Sequence, residues 1–471
     1  MDQTVTAAKP ALYQPSEAAI AHLCGAVQCA TVSAEDDAQV NWQEFEKLHA
    51  FLETSYPLIH KTMEREVVAR GSLLYRWKGR GKGKPYALLA HMDVVSIDHP
   101  EHWTVEPFCG AYDGTYVWGR GAADMKCQLI AIMETIEQLI AEGFTPNQDV
   151  YLCFGHNEEV MAPHSGAKAM AELLKSRGVE LEFVADEAGA IMMEPPFGIG
   201  KPVVMVGMAE KGFANLELTI RGEGGHSAEP EGLSALELAS QFIVALGQNP
   251  MPYRLIPTVE AYVQALAGAM ASEERARIER DPAYVFEKMA EDKKCHAMVR
   301  TTIVPTVMRS GQIFNAIPSE AKVVLNSRIL PGDSAETVSA HIKAVLSQCG
   351  IEDYTLEVAK YAPPAPVTPN DAPTFQILKK LYLAWYPDFI VTPYLVTGGT
   401  DSKNYAGVTG EIYRISASLS YRGVSSGAHG DNERAPVVTL ESIRRLFYGF
   451  IRAQSARYDG LREFSVCPKG N

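Results

Sequence analysis

Between residues 85 and 185 apolar runs of strand length alternate with a helical pattern, and this constrains the fold more than any other feature. Pro85-Tyr-Ala-Leu-Leu-Ala90, Val150-Tyr-Leu-Cys-Phe154 and Leu181-Glu-Phe-Val-Ala185 read as strands. Between the first two, Leu129, Ile132, Met133, Ile136, Leu139 and Ile140 recur at helical spacing and stop at Gly143. The alternation predicts an α/β fold with a mainly parallel central sheet flanked by helices. Ahead of it, Glu17 to His22 and Trp42 to Leu52 read as helical, and Leu73-Leu-Tyr-Arg-Trp-Lys78 gives the first strand signal.

From about Glu210 the period changes. Leu216-Glu-Leu-Thr-Ile-Arg221 alternates with period two, Leu236 to Leu246 is helical, Ala321 to Arg328 and Thr355 to Val358 read as strands, and a helix is expected near Ala335 to Leu346. A smaller α+β unit over 210–362 therefore interrupts the first unit, which occupies 1–209 and resumes over 363–471 after the Pro-rich Ala362-Pro-Pro-Ala-Pro-Val-Thr-Pro369. Residues 250–300 carry Glu273-Glu-Arg-Ala-Arg-Ile-Glu-Arg280 and read as an exposed helical insertion.

Bulk properties narrow the function. A chain of 471 residues, 46% of them hydrophobic, can bury a full core. Its 43 basic and 57 acidic residues give a net charge of -14 without a basic patch, which excludes nucleic acid as a partner. No stretch approaches the roughly 20 apolar residues of a membrane span, and Met1-Asp-Gln-Thr-Val-Thr6 lacks the parts of a secretion signal. The expectation is a cytoplasmic protein without membrane contact. Eight cysteines with no Cys-x-x-Cys pair agree with a reducing compartment.

The chemistry sits at the strand ends. His91-Met-Asp93 follows the first apolar run, His156-Asn-Glu158-Glu159 the second and Asp186-Glu187 the third. Gly119-Arg-Gly-Ala-Ala-Asp124 and Ser426-Gly-Ala-His429-Gly-Asp-Asn-Glu-Arg434 complete the set. Open α/β sheets bind ligands at the C-terminal ends of their strands, and imidazole nitrogen with carboxylate oxygen is a zinc donor set. His91 is expected on one metal and His429 on another, with Asp93 holding the second imidazole N–H of His91. Asp124, at the start of a helix, is the candidate bridge between ions about 3.5–4 Å apart. Adjacent residues at a strand end diverge, so Glu159 is assigned to metal and Glu158 to general base catalysis. His156 and His164 are assigned supporting, structural places. A non-haem iron triad would use His91, Asp93 and His429 but leave Asp124, Glu158 and Glu159 unexplained. A catalytically inactive scaffold of the same fold would have no need of the complete set.

In this order the motifs resemble the dinuclear zinc exopeptidases and aminoacylases, a family that includes aminoacylases, glutamate carboxypeptidases and carboxypeptidase S-like enzymes. His156-Asn-Glu-Glu159 and His429-Gly-Asp-Asn-Glu433 most resemble the carboxypeptidase S-like branch, and the resemblance runs from about residue 70 to residue 450. It implies two zinc ions per chain, with cobalt or manganese as alternatives. Asp124 would bridge them, His91 and one acid of the Asp186-Glu187 pair would hold one ion, Glu159 and His429 the other, and Glu158 would be the base. Asp186 is favoured within its pair, with Glu187 as the alternative. The resemblance further implies that 210–362 is a lid and dimerisation domain of a homodimer. His226, in Gly225-His-Ser-Ala228, would reach across the dimer to polarise the scissile carbonyl. Asn315 and Arg328 resemble lid positions beside substrate, and a guanidinium suits a carboxylate bidentately. The turn Gly398-Gly-Thr-Asp-Ser402 would offer backbone donors at Gly399 and Thr400. The implied reaction is hydrolysis of an amide bond next to a free carboxylate, in a small peptide or an N-acyl amino acid. One departure is Val160-Met-Ala-Pro-His-Ser-Gly166, where the family often has a double glycine; it bears on loop shape and substrate preference.

Overall fold

The computed structural model describes residues 13–160 and 165–459. His164, most of the departing loop and Cys467 lie outside the described residues. The core is a ten-stranded sheet in the order Glu64–Val68, Ser72–Trp77, Val150–Gly155, Tyr86–His91, Val184–Asp186, Ile412–Arg414, Val203–Glu210, Ala190–Met192 and Leu419–Ser420, with Ile390–Val396 also paired to Val203–Glu210. The three strands that carry site residues at their ends, Tyr86–His91, Val150–Gly155 and Val184–Asp186, are parallel, so their C-terminal ends open on one edge.

Both faces of this sheet are covered, which is why its strands read as unbroken apolar runs. Leu88, Ala90, Leu152 and Phe154 face a core that contains Leu129, Ile132, Met133 and Ile136 of helix Cys127–Ala141, together with Leu440, Phe447 and Phe450 of helix Val437–Ala456. Their neighbours Ala87, Leu89, Tyr151 and Cys153 face Met170, Ala171 and Leu174 of helix Gly166–Ser176. The mixed α/β architecture with a large, mainly parallel sheet is as the alternation predicts.

A second sheet, ordered Thr302–Ser310, Glu320–Ile329, Gly212–Arg221 and Tyr354–Ala362, is antiparallel throughout. It has its own core, in which Leu216, Leu218, Val323 and Leu325 meet Phe242 of helix Ala235–Gln248 and Ile342 of helix Ala335–Gln348. Ser234 and Glu237 form a capping box that starts the first of these helices. The stretch expected to be an exposed insertion differs from that reading. Helix Pro257–Ala267 buries Val259, Tyr262 and Leu266 against Tyr394 and Leu395 of the large sheet, and only the charge-rich Ser272–Arg280 is largely solvated. Val259, Tyr262, Val263 and Leu266 form an i, i+3, i+4, i+7 stripe that the charged neighbours mask in the sequence. Among the described residues no helix is long and apolar enough to cross a membrane, and the described cysteines are free thiols.

Candidate metal centre

His91 is the last residue of its strand and is 1% exposed. Its Nδ1 donates to the backbone carbonyl of Asp93 at 3.0 Å, and its Nε2 lies 3.2 Å from Asp124 Oδ1 and 3.6 Å from Glu187 Oε1. The Asp93 carboxylate, 3.5 Å from Nδ1, has further work. It accepts from Ser33 Oγ at 2.6 Å and from the backbone N–H groups of Glu158 and Glu159 at 3.0 and 3.1 Å. Asp93 therefore orients His91 and also fixes the loop that carries the glutamate pair.

Asp124 does not begin the helix, as the sequence suggests. It sits with φ -120° and ψ 95° in a distorted turn, Ala122–Lys126, and a cis peptide joins it to Met125. Gly121 precedes this turn at φ +83°, where a Cβ would stand 2.4 Å from Val94 Cγ1, so only glycine fits. The turn is held by Glu433. One of its carboxylate oxygens accepts from Arg120 Nη1 at 2.9 Å and Gly121 N at 3.0 Å, and the other from Ala123 N at 2.9 Å and Asp124 N at 3.0 Å. No role was assigned to Glu433 from the sequence, although it closes the His429 motif.

The Asp124 carboxylate thus points into the site from a fixed backbone. Its Oδ2 lies 3.2 Å from His429 Nε2, which is 2.9 Å from Glu159 Oε2. Two trios result, His91–Asp124–Glu187 and Asp124–Glu159–His429, each with ligand atoms within 4.8 Å of one another, and Asp124 belongs to both. Hydrogen bonds to Asp124 and Glu159 push His429 up to about 10. Burial opposes ionisation of Asp124, yet its bonds to His429 and His91 hold it below the usual carboxylate range.

Of the Asp186–Glu187 pair, the structure brings Glu187, the alternative in the sequence reading, and not the favoured Asp186, up to His91. Asp186 ends its strand with Oδ2 accepting from Ser402 N at 2.8 Å, and the next residue, Glu187, faces His91. Glu158 lies in neither trio. Burial pushes its carboxyl well above the ordinary range, with the His91 charge opposing the shift. Burial and the Asp124 charge raise Glu187 in the same way, and burial with Asp186 and Asp93 raises Asp401 to about 7. So many buried acids around two imidazoles make a donor set with an excess of negative charge, which a divalent cation pair fits.

A cleft of about 290 Å³ opens over these groups, lined by Asp124, Glu158, Glu159, Glu187 and His429 together with Gly398, Gly399 and Thr400. The Thr400 hydroxyl is turned away to Glu210 Oε2 at 2.7 Å and Ser402 Oγ at 2.6 Å, and Glu210 also pairs with buried Arg414 at 3.0 Å. Lys294, from the helical stretch Lys293–Met298, also lines the cleft, and its place on an insertion hid it from sequence reasoning. His156 has the supporting place expected, with Nδ1 2.6 Å from Ser72 Oγ and its ring against Trp42. His226, Asn315 and Arg328 are not among the residues that line the cleft. His226 and Asn315 are exposed beside each other, with Ser227 N donating to the Asn315 carbonyl at 3.2 Å, and Arg328 lies in the second sheet opposite Phe213 and Thr302.

A mainly parallel sheet whose open edge carries two histidine–carboxylate trios sharing one aspartate defines an α/β protein built to hold metal. The chain belongs to peptidase family M20/M25/M40, whose profile matches residues 87–453, and it is a hydrolase of that metal-dependent family. It is 31% identical over 417 residues to a probable carboxypeptidase S-like 2 of Dictyostelium discoideum, covering 87% of this chain and 79% of that one. It is 30% identical over 445 residues to the N-fatty-acyl-amino acid synthase/hydrolase PM20D1.1 of Danio rerio, covering 92% and 85%. The fold is similar to that of the M20 family metallo-carboxypeptidase Sso-CP2 from Sulfolobus solfataricus, with a TM-score of 0.68, 17% identity and coverage of 94% and 100%. The resemblance to the carboxypeptidase S-like branch holds.

Proposed function

We propose that the protein hydrolyses an amide or peptide bond next to a free carboxylate, as a carboxypeptidase or dipeptidase or as an N-acyl-amino-acid amidohydrolase, with two zinc ions. The observation that carries this reading is the sharing of Asp124 by two trios, with the half-buried Glu158 in the same cleft and in neither trio. His91, Asp124 and Glu187 would hold one ion and Asp124, Glu159 and His429 the other. The chemistry such a pair supplies is Lewis acidity, which lowers the pKa of water toward ~7 and polarises a carbonyl.

The chain's own residues do the rest. Glu158 takes the proton of the attacking water as its oxygen bonds to the scissile carbon, and returns it to the amide nitrogen as the C–N bond breaks, so the products are a free acid and a free amine. Its raised pKa suits a group that must both accept and give up that proton. Asp93 keeps His91 in one tautomer and aims the Glu158–Glu159 backbone. Gly399 N–H and Lys294, whose residues line the cleft, would receive the carboxylate-bearing half of the substrate. His226 is supplied by a second copy of the chain, a homodimer whose contact would cover the exposed Ile313 and Phe314 beside Asn315.

The test is chelation followed by restoring zinc, cobalt or manganese in turn, with hydrolysis of dipeptides and N-acyl amino acids followed by release of the amino acid. Activity should return with about two ions per chain. Glu158→Gln should keep both ions and lose turnover by roughly 10²-fold or more. Full turnover in that variant, or a wild-type protein that binds no metal, would overturn the proposal.

A further inference from the structure

Among the described residues one further group of side chains brings metal-binding atoms together. His99, Glu101 and His102, around the short turn Pro100–His102, each place a ligand atom within 4.8 Å of the others. None of the three lines the cleft. His99 Nδ1 stands 3.3 Å from Glu101 Oε1, and the two imidazole rings stack with centroids 4.8 Å apart and planes 25° apart. Neighbouring ligands of a tetrahedral zinc-sized ion, bound at about 2.0–2.1 Å, are themselves about 3.3 Å apart, so His99 and Glu101 already have the spacing of two ligands.

A second segment completes the group. Asp431 Oδ2 accepts from His102 Nδ1 at 3.2 Å, the carboxylate-to-imidazole contact that backs metal-bound histidines. Glu101 and Asp431 form ion pairs with these two histidines and, among the described residues, with no lysine or arginine. Two carboxylates without a fixed cation beside two imidazoles are therefore a nitrogen and oxygen donor set with negative charge to spare, of the kind that suits a zinc-like ion. The four side chains are 43–66% exposed, so an ion can enter from solvent and keep water as its remaining ligands.

Asp431 is two residues from His429 and two from Glu433. Between them Asn432 joins the same two segments, its Oδ1 accepting from Thr104 N at 2.6 Å and its Nδ2 donating to the His102 carbonyl at 3.1 Å. We infer that His99, Glu101 and His102 bind a divalent transition ion of the zinc class, separate from the metal centre, and that this ion, with Asp431 behind His102, clamps the loop that carries His429. The site stands whether or not the cleft hydrolyses amides.

The test counts zinc bound by chelator-stripped protein after dialysis against a series of buffered zinc concentrations. Wild type should saturate with one ion per chain more than His99→Gln/His102→Gln. Both substituted side chains are exposed, so circular dichroism of the metal-free proteins should coincide. Equal counts overturn the site, even if both proteins bind ions at the centre and turn over. If no amide is cleaved the proposed function fails, while a difference of one ion still supports this site. Clamping is read from hydrogen exchange at Thr104 N–H, whose bond to Asn432 must break for the segments to part. At zinc about ten times the Kd of the extra ion, adding zinc should slow that exchange about tenfold more in wild type than in the double variant. Equal slowing in the two proteins overturns the clamp.

Discussion

Glu433→Gln isolates the part of the site that holds Asp124. The substitution is nearly isosteric, so it opens no cavity, and its cost can be worked from the four donors that converge on the carboxylate. Arg120 and Glu433 side chains are 4% and 1% exposed. The glutamine amide keeps one acceptor oxygen and turns an NH₂ toward the other pair of donors. If that NH₂ faces Arg120, a buried guanidinium is left without a counter-charge, which costs about 3–5 kcal/mol. If it faces Ala123 and Asp124, two buried N–H groups lose their acceptor at about 1–3 kcal/mol each, and the ion pair is lost as well. Either orientation removes the counter-charge of Arg120 and orphans at least one further donor, so the loss is at least about 3–5 kcal/mol. The assay is urea unfolding of chelator-treated protein, followed by tryptophan fluorescence and circular dichroism, because bound metal would add its own stabilisation. A double variant with Arg120→Met removes the orphaned cation, so its loss should fall short of the summed single losses by about 1 kcal/mol or more. In the same proteins metal affinity should weaken roughly 10–100-fold, since the residue that positions a ligand has lost its grip on the ligand's backbone. A single variant within about 0.5 kcal/mol of wild type, or strictly additive losses, would refute the reasoning.

Other parts of the structure give sharper single outcomes. Burial lowers His49 to about 4, against the hydrogen bond from its Nε2 to the Gly71 carbonyl at 3.0 Å. The unfolded chain takes up that proton near about 6.5, so stability is complete above this pH and falls as the pH drops toward 4. His49→Gln should therefore remove about 1–2 kcal/mol of the difference in unfolding free energy between pH 7 and pH 5; an unchanged difference assigns the acid sensitivity elsewhere. Lys294→Ala should raise KM roughly threefold for substrates with a free carboxylate and leave kcat within about twofold, as expected for an exposed charge. The methyl ester of the same substrate should not respond, and an equal effect on acid and ester would remove Lys294 from carboxylate recognition.

The fold was legible where one physical rule dominated. Leu88 and Ala90 face one layer of helices and Leu89 and Ala87 the other, so strands buried on both faces became visible as unbroken apolar runs. The period-two pattern of Gly212–Arg221, which alternates buried and more exposed positions, was equally plain. Two rules in conflict obscured the helices at 257–298. Charged residues on Ser272–Arg280 report solvent truthfully, while Tyr262 and Leu266 a turn or two earlier are core of the large sheet. The edge strand Glu64–Val68, paired on one side only and mostly exposed, carries too little apolar pattern to be seen.

At the site, residues whose place follows from their own strand were readable, and those defined by a distant donor were not. His91 ends an apolar strand, and Glu158–Glu159 follow another, so local pattern put them on the edge. Asp186 and Glu187 are adjacent acids at a third strand end, and nothing local distinguishes them. The distinction is made by Ser402, whose N–H engages Asp186 from 216 positions along the chain and leaves Glu187 to face His91. Glu433 repeats the pattern, since its meaning lies in three backbone N–H groups and an arginine 309 to 313 positions earlier. Backbone donors carry no residue identity, so a carboxylate that serves them looks in sequence like any other acid. The same logic explains why Asp93 was only half read. A local link to His91 was expected through its carboxylate, which stands 3.5 Å from Nδ1 while the Asp93 backbone carbonyl takes the N–H at 3.0 Å, whereas its hold on the Glu158 and Glu159 backbone crosses 65 and 66 positions. Such long-range carboxylate-to-backbone bonds tie together the loops that carry the two trios, and they make the positions of Asp124, Glu158 and Glu159 depend on Glu433 and Asp93 as much as on their own strands.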